Sequence, residues 1–130
     1  MRPRYKDLFA RMASKDVDER DKAFDAVLFD RSHALPDLAE LYQEARNDAN
    51  LRFMATQLIS FTSSKRAWPH LIEALRDEDT RIRVEACLGL EELKCVEALD
   101  ALEGMLNDRD VEVRQAAATA ISALRKRASK

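Results

Sequence analysis

Few side chains in this chain fall at spacings that could do chemistry. The nucleophile candidates are Ser63 and Ser64, beside Lys65 in the stretch TSSKRA. A hydroxyl of this kind needs an adjacent base, and nothing in the residue order marks one. His33 and His70 stand in different stretches, with no Cys or carboxylate at a recognisable metal spacing. Cys87 and Cys95 form a C-x7-C pair, a weak zinc signal on its own. No metal and no cofactor is therefore expected, and Cys87 reads as a reduced core thiol. The two glycines, Gly89 and Gly104, sit inside helical patterns, which leaves no glycine-rich phosphate loop. Carboxylates are spread along the whole chain, the ordinary pattern of solvated helix faces. Trp68, just before Pro69, reads as a helix-start residue sealing a seam, with ligand docking as the functional alternative. With no catalytic constellation among these residues, the expectation is a protein that is not an enzyme.

The elements that carry these residues are legible from composition. Of 130 residues, 46% are hydrophobic and 35% charged, with only two Gly and three Pro. Such a chain is poor in turn formers and rich in Ala, Leu, Glu, Lys and Arg, so an all-helical domain is expected. The net charge of -2 argues against a strongly basic nucleic-acid binder. Basic residues do gather at both ends, Arg2, Arg4 and Lys6 at one and Arg125, Lys126, Arg127 and Lys130 at the other, and read as solubilising ends. No apolar run follows Met1 and none reaches a membrane span, so no secretory signal and no membrane insertion are expected. Two isolated thiols fit a reducing cytoplasm.

The chain repeats itself. RDEDTRIRVEA, from Arg76, returns 31 residues later as NDRDVEVRQAA. At that offset Leu71 falls on Leu102, Leu75 on Leu106, Asp77 on Asp108 and Asp79 on Asp110. Ile82 falls on Val113, Arg83 on Arg114, Ala86 on Ala117 and Leu90 on Ile121. Asp48, Leu51, Arg52, Ala55 and Ile59 repeat the frame upstream. A worn copy holds Asp16, Arg20, Ala23 and Val27, with Glu19 in the apolar slot. A fixed period near 30 marks a stacked array. Four units are expected, near 1–32, 33–64, 65–95 and 96–130, in a single repeat domain.

Each unit reads as a helical hairpin. First helices are expected near 5–13, 36–46, 67–76 and 97–106, second helices near 17–29, 49–62, 79–93 and 110–126. DRSHAL, TSSKRA and KCVE are the expected connectors. Asp79 and Asp110 suit N-caps, where a carboxylate accepts backbone N–H bonds at the positive helix end. Ala55, Ala86, Ala116, Ala117 and Ala120 would let second helices approach closely, and Gly89, in the slot of Ala120, reads as close packing.

The run of a turn acid, Val or Ile, Arg, Ala and Leu at Asp79, Ile82, Arg83, Ala86 and Leu90, and again at Asp110, Val113, Arg114, Ala117 and Ile121, resembles HEAT repeats. It is similar in particular to the short repeats of phycobilisome lyase-type proteins. The resemblance implies an all-α fold, a right-handed α-α superhelix or α-solenoid of about four HEAT-like hairpins. First helices would lie on the convex side and second helices would line the concave side. It implies no lyase activity, because function lives in sites and not in folds. It also implies a ladder between units from turn aspartates and helix arginines, here Asp16, Asp48, Asp79 and Asp110 with Arg20, Arg52, Arg83 and Arg114. The competing reading of those arginines is an anion-binding row.

The second helices then define the candidate binding face. Outward positions are Asp21, Asp25 and Leu28 in unit one, Phe53, Gln57 and Ser60 in unit two, Val84, Leu88 and Glu91 in unit three, and Gln115, Thr119 and Ser122 in unit four. Phe53, Val84 and Leu88 stand where a solvated face would carry Gln or Glu. The functional reading is a non-catalytic protein-binding module, an adaptor, scaffold or inhibitor, with Phe53, Gln57, Val84, Leu88, Glu91, Gln115 and Thr119 as the contact set. The alternatives are that the apolar three belong to the core, or that they seal a homodimer. These groove positions hold no Lys or Arg, so nucleic acid is disfavoured as a partner. An accessory or lyase-type enzyme subunit is the alternative from another class.

Overall fold

A computed structural model describes residues 1–129; Lys130, one of the basic C-terminal group, lies outside them. Among the described residues the chain forms eight α-helices paired as four hairpins. Helices α1 (Pro3–Met12) and α2 (Val17–Phe29) make the first, α3 (Arg31–Glu44) and α4 (Ala49–Ser60) the second. Helices α5 (Trp68–Ala74) and α6 (Thr80–Glu92) follow, then α7 (Leu99–Gly104) and α8 (Val111–Ala128). The second helices α4, α6 and α8 pack side by side as one continuous layer, while α2 meets α4 more sparsely. The array is an α-solenoid.

The second helices start where the acids stand. Asp48 accepts from the Leu51 N–H at 3.0 Å, Asp79 from Arg81 N–H at 2.9 Å and Asp110 from Glu112 N–H at 2.9 Å. Asp16 does the same for α2 through Asp18 N–H at 3.0 Å. Each cap satisfies a donor that the first helical turn leaves without a partner, worth about 1 kcal/mol. The opposite ends close differently. Ser63 and Lys94 take left-handed backbone at φ 55° and 59°, one unit apart, and turn the chain into the next hairpin. After Lys94 the Cys95 N–H reaches back to the Leu90 carbonyl at 3.0 Å, closing the end of α6.

Small residues set the spacing of the second-helix layer. Ala55, Ala86, Ala117 and Ala120 are fully buried, while Ala116, expected beside them, is half-buried. At Gly89 a Cβ would stand 2.5 Å from Ser60 Oγ and 3.2 Å from Leu71 Cδ1, so only hydrogen fits between α4 and α6 there.

Two expectations about connectors need correction. DRSHAL is not a connector: α3 begins at Arg31, and Asp30 (φ −111°, ψ 21°) is the single residue between α2 and α3. Pro36 lies inside α3, on an exposed face where the lost N–H bond is cheap to solvate. TSSKRA is shorter than it reads, because Lys65–Ala67 already form a 3-10 turn capped by Ser64 Oγ. Helix α7 is likewise bracketed by 3-10 turns at Val96–Ala98 and Met105–Asn107.

Candidate functional site

The ladder between units exists, with different acids from those expected. Arg52 Nε and the Arg52 Nη2 nitrogen donate to the Asp77 carboxylate at 2.8 and 2.9 Å, and Arg83 donates likewise to Asp108 at 3.0 and 3.3 Å. Asp48, Asp79 and Asp110 are not the ladder acids. Each accepts a backbone N–H at a helix start, which points its carboxylate along its own helix axis. Asp77 and Asp108 stand two residues earlier, in the turn, where they reach back to the preceding unit. They also brace the caps, accepting the Asp79 and Asp110 N–H groups at 2.9 Å each. Their signal was in the sequence: they recur as themselves at the same offset of 31.

Three arginines of the row, Arg52, Arg83 and Arg114, are also tied to the turn behind them, and among the described residues Arg20 is not. Arg52 donates to the Arg46 carbonyl at 3.1 Å, Arg83 to Asp77 O at 2.8 Å and Arg114 to Asp108 O at 2.7 Å, always six residues back. The two inner pairs are buried, with side chains 5 to 9% exposed. Burial alone would raise the Asp77 carboxyl, but the Arg52 guanidinium, the Tyr42 hydroxyl and the Asp79 N–H outweigh it and hold it below the usual range. Asp108 behaves alike: the Asp110 N–H and Arg83 overcome its burial. Arginine nitrogens occupied in this way leave Arg52 and Arg83 unavailable to an outside anion.

Two grooves lie between successive second helices. The first, about 470 Å³ between α2 and α4, has Phe24, Phe53 and Met54 as its apolar floor, with Gln57 and Asn50 at the edge. Phe53 is half-buried, and the Arg81 guanidinium sits 5.0 Å from its ring centroid while Asp79 holds Arg81 at 3.1 Å. The second groove, about 720 Å³ between α4 and α6, is floored by Leu28, Phe61, Leu88 and Gly89 and edged by Glu85, Glu91 and Glu92. Leu88 is 48% exposed and Phe61 47%. Val84 and Glu91 are half-buried, and Gln115 and Thr119 are exposed on α8, away from both grooves.

Three sequence readings of this face change. Ser60 is buried and donates to the Thr56 carbonyl at 3.0 Å beneath Gly89, because the close approach of α4 and α6 covers it. The face does hold cations: Arg20 lines the first groove and Arg31 the second. Phe61, Glu85 and Glu92 escaped the helical-spacing argument. Phe61 lies just past the end of α4, and Glu85 and Glu92 flank Leu88 one turn away on the side turned toward α4.

Ser63, Ser64, Lys65 and Trp68 line one shallow hollow with Lys94 and Arg127, while the histidines and cysteines stay apart. His33 Nδ1 lies 3.0 Å from Asp30, on an exposed edge far along the chain from His70. Among the described residues no three His, Cys, Asp or Glu side chains come together as a metal set. Cys87 and Cys95 are buried and unlinked; burial foremost, with Asp108 nearby, pushes the Cys87 thiol up to about 12, which keeps it protonated and unreactive. Trp68 is half-buried against the core with Lys65 Nζ 5.5 Å from its ring centroid. No helix of the described residues is long and apolar enough to cross a membrane.

Stacked hairpins, a layer of second helices and a buried arginine–aspartate ladder define an α-solenoid built of HEAT-like repeats. The family model for HEAT repeats matches residues 68–130, the two C-terminal units. No curated protein matches the sequence. Among solved structures the chain is similar to one from the complex of CpcE and CpcF of phycocyanin lyase from Nostoc sp. PCC7120. That likeness has 19% identity and a TM-score of 0.54 over 94% of this chain and 65% of that one. It is also similar to an engineered protein, at 18% identity and a TM-score of 0.56 over 95% of this chain and 63% of that one. The chain thus spans a little under two-thirds of either structure's length.

Proposed function

We propose that the protein is a non-catalytic, cytoplasmic protein-binding module that uses the concave face lined by α2, α4, α6 and α8. The observation that carries this is the pair of apolar-floored grooves between successive second helices, where Phe53 is half-covered and Leu88 and Phe61 stand open. A stacked array has no need of apolar side chains there, since its core is already closed by Ile82, Leu90, Leu102 and Val113. The buried, unlinked cysteines fit a reducing compartment. The similarity to a chain of the CpcE and CpcF complex supports protein association as the use of such a face.

The test is affinity capture with the intact chain, identification of what it retains, and repetition with Leu88→Asp. The variant should keep the wild-type circular dichroism and melting temperature, because Leu88 is exposed, and should lose the partner. A partner retained at full yield by Leu88→Asp and by Phe53→Ser would sink the reading. A lyase-type accessory role is the second reading, favoured by the same structural similarity; a bilin that co-purifies with the chain would support it.

A further inference from the structure

The α4/α6 groove differs from its equivalents elsewhere in the array. Along α6, Leu88 is flanked by Glu85 one turn before and by Glu91 and Glu92 one turn after. The same slots hold Met54, Gln57, Ser60 and Phe61 in α4, and Ala116, Thr119, Ser122 and Ala123 in α8. The repeat therefore builds the layer without this pattern, and unit three adds it. Phe61 from the end of α4 and Leu28 from α2 extend the apolar floor beside Leu88.

The charges around that floor are not balanced. Among the described residues none of Glu85, Glu91 and Glu92 takes part in an ion pair. The one cation in the lining, Arg31, is spent on main-chain carbonyls: it donates to Leu28 O at 3.0 Å and to Phe61 O, fastening the ends of α2 and α4. Glu85 is half-buried, and burial raises its carboxyl against a partly opposing Ser60 hydrogen bond. A cation brought to Glu85 would recover part of that cost.

We propose that this groove docks a basic amphipathic helix of a partner protein, with an apolar anchor over Leu88 and Phe61 and Lys or Arg residues facing the three glutamates. The inference rests on the protein-binding reading and specifies its partner. The geometry suits a helix laid along α6. Glu85 and Glu91 are separated by about 9 Å of helix rise. Lysines or arginines one turn either side of a leucine or phenylalanine on the partner match that spacing. The apolar anchor supplies affinity, and the carboxylates select the sign of the partner and its orientation.

The experiment uses the whole chain and a fluorescein-labelled 14-residue helix of leucine and lysine, with its leucine and glutamate counterpart as control. Fluorescence anisotropy should show saturable binding of the lysine peptide and none of the glutamate peptide. Leu88→Ser should weaken binding about tenfold, as should the triple Glu85→Gln, Glu91→Gln, Glu92→Gln. A triple of equal charge change on exposed acids elsewhere, Glu44→Gln, Glu97→Gln, Glu112→Gln, should change it less than about twofold. Equal losses in the two triples, equal binding of both peptides, or no binding of the lysine peptide would overturn the proposal. The partner captured from cells separates this idea from the one beneath it. Retention by the groove triple with loss by Phe53→Ser overturns only the basic-helix groove, whereas retention by both overturns the binding face as well.

Discussion

The first hairpin and the three that follow are joined by different means. In the later units each step carries the same clasp: an arginine on the fourth residue of the second helix, tied to its own turn and to an aspartate of the next unit. Arg20 stands in the same slot of α2 and makes only a loose 3.9 Å approach to Asp21. The residue two before the Asp48 cap, where Asp77 and Asp108 stand later, is Arg46, and it would repel Arg20. The N-terminal unit is held instead by α1. Arg2 donates through its main-chain N–H and its Nε to the buried Asp37 at 3.0 and 2.8 Å, Tyr5 donates to Asp30, and the Met1 amine lies 3.1 Å from Glu40. The comparison teaches that the period of the array is enforced by buried polar geometry. Where one acid is missing, the helices still stack, but α2 meets α4 more sparsely than the later second helices meet each other.

The largest effect should come from breaking the clasp. Arg83→Ala or Arg52→Ala leaves a buried carboxylate without its cation and should cost about 3 kcal/mol in urea denaturation. Arg20→Ala should stay within about 0.5 kcal/mol. Replacing both partners, Arg83→Met with Asp108→Leu, should recover most of the loss. Equal effects of Arg83→Ala and Arg20→Ala would erase the distinction between the two regions. Arg83→Ala should also alter stability more than partner affinity, since neither Arg83 nor Asp108 lines either groove.

Next comes the layer of small residues in the regular region. Ala86→Leu places a large side chain at a fully buried site between second helices and should cost roughly 1–3 kcal/mol. The two glycines sharpen the point because their signs should differ. Gly89→Ala collides with Ser60, which its bond to Thr56 holds in place, and should lower the melting temperature. Gly104→Ala meets nothing within 4 Å and should raise stability by about 0.4–1 kcal/mol through a less flexible unfolded chain.

The smallest effect separates ladder from groove by pH. Asp77 and Asp108 have folded values below the ordinary 3.8, so their contribution is complete above that pH and is lost as pH falls through the folded values. Glu85 has a folded value above the ordinary 4.5, so its contribution is complete below 4.5 and is lost as pH rises through the folded value. Denaturation curves at a series of pH values should therefore show Asp108→Asn flattening the acid limb and Glu85→Gln flattening the fall above 4.5. Both variants tracking the wild type across the range would remove the assigned causes.

Much of this architecture could be read before any coordinates. A period of 31 residues, apolar slots at helical spacing and acids ahead of each second helix specify stacked hairpins, because each is a local or nearest-neighbour property. The second helices fall within about two residues of their expected bounds for the same reason. Apart from the connectors DRSHAL and TSSKRA, the misreadings were questions of direction. Asp79 and Asp110 are acids four residues before an arginine, yet only the helix axis decides that they cap while Asp77 and Asp108 reach across. Ser60 and Leu88 both sat on the expected outward face, yet the close approach at Gly89 buries one and leaves the other open. The sequence by itself thus determined the repeat, the helices and the balance of charge. Only the tertiary structure decided which carboxylates meet guanidinium, which meet backbone and which face an open apolar groove, because those outcomes depend on the spacing between helices, and no single helix encodes that distance.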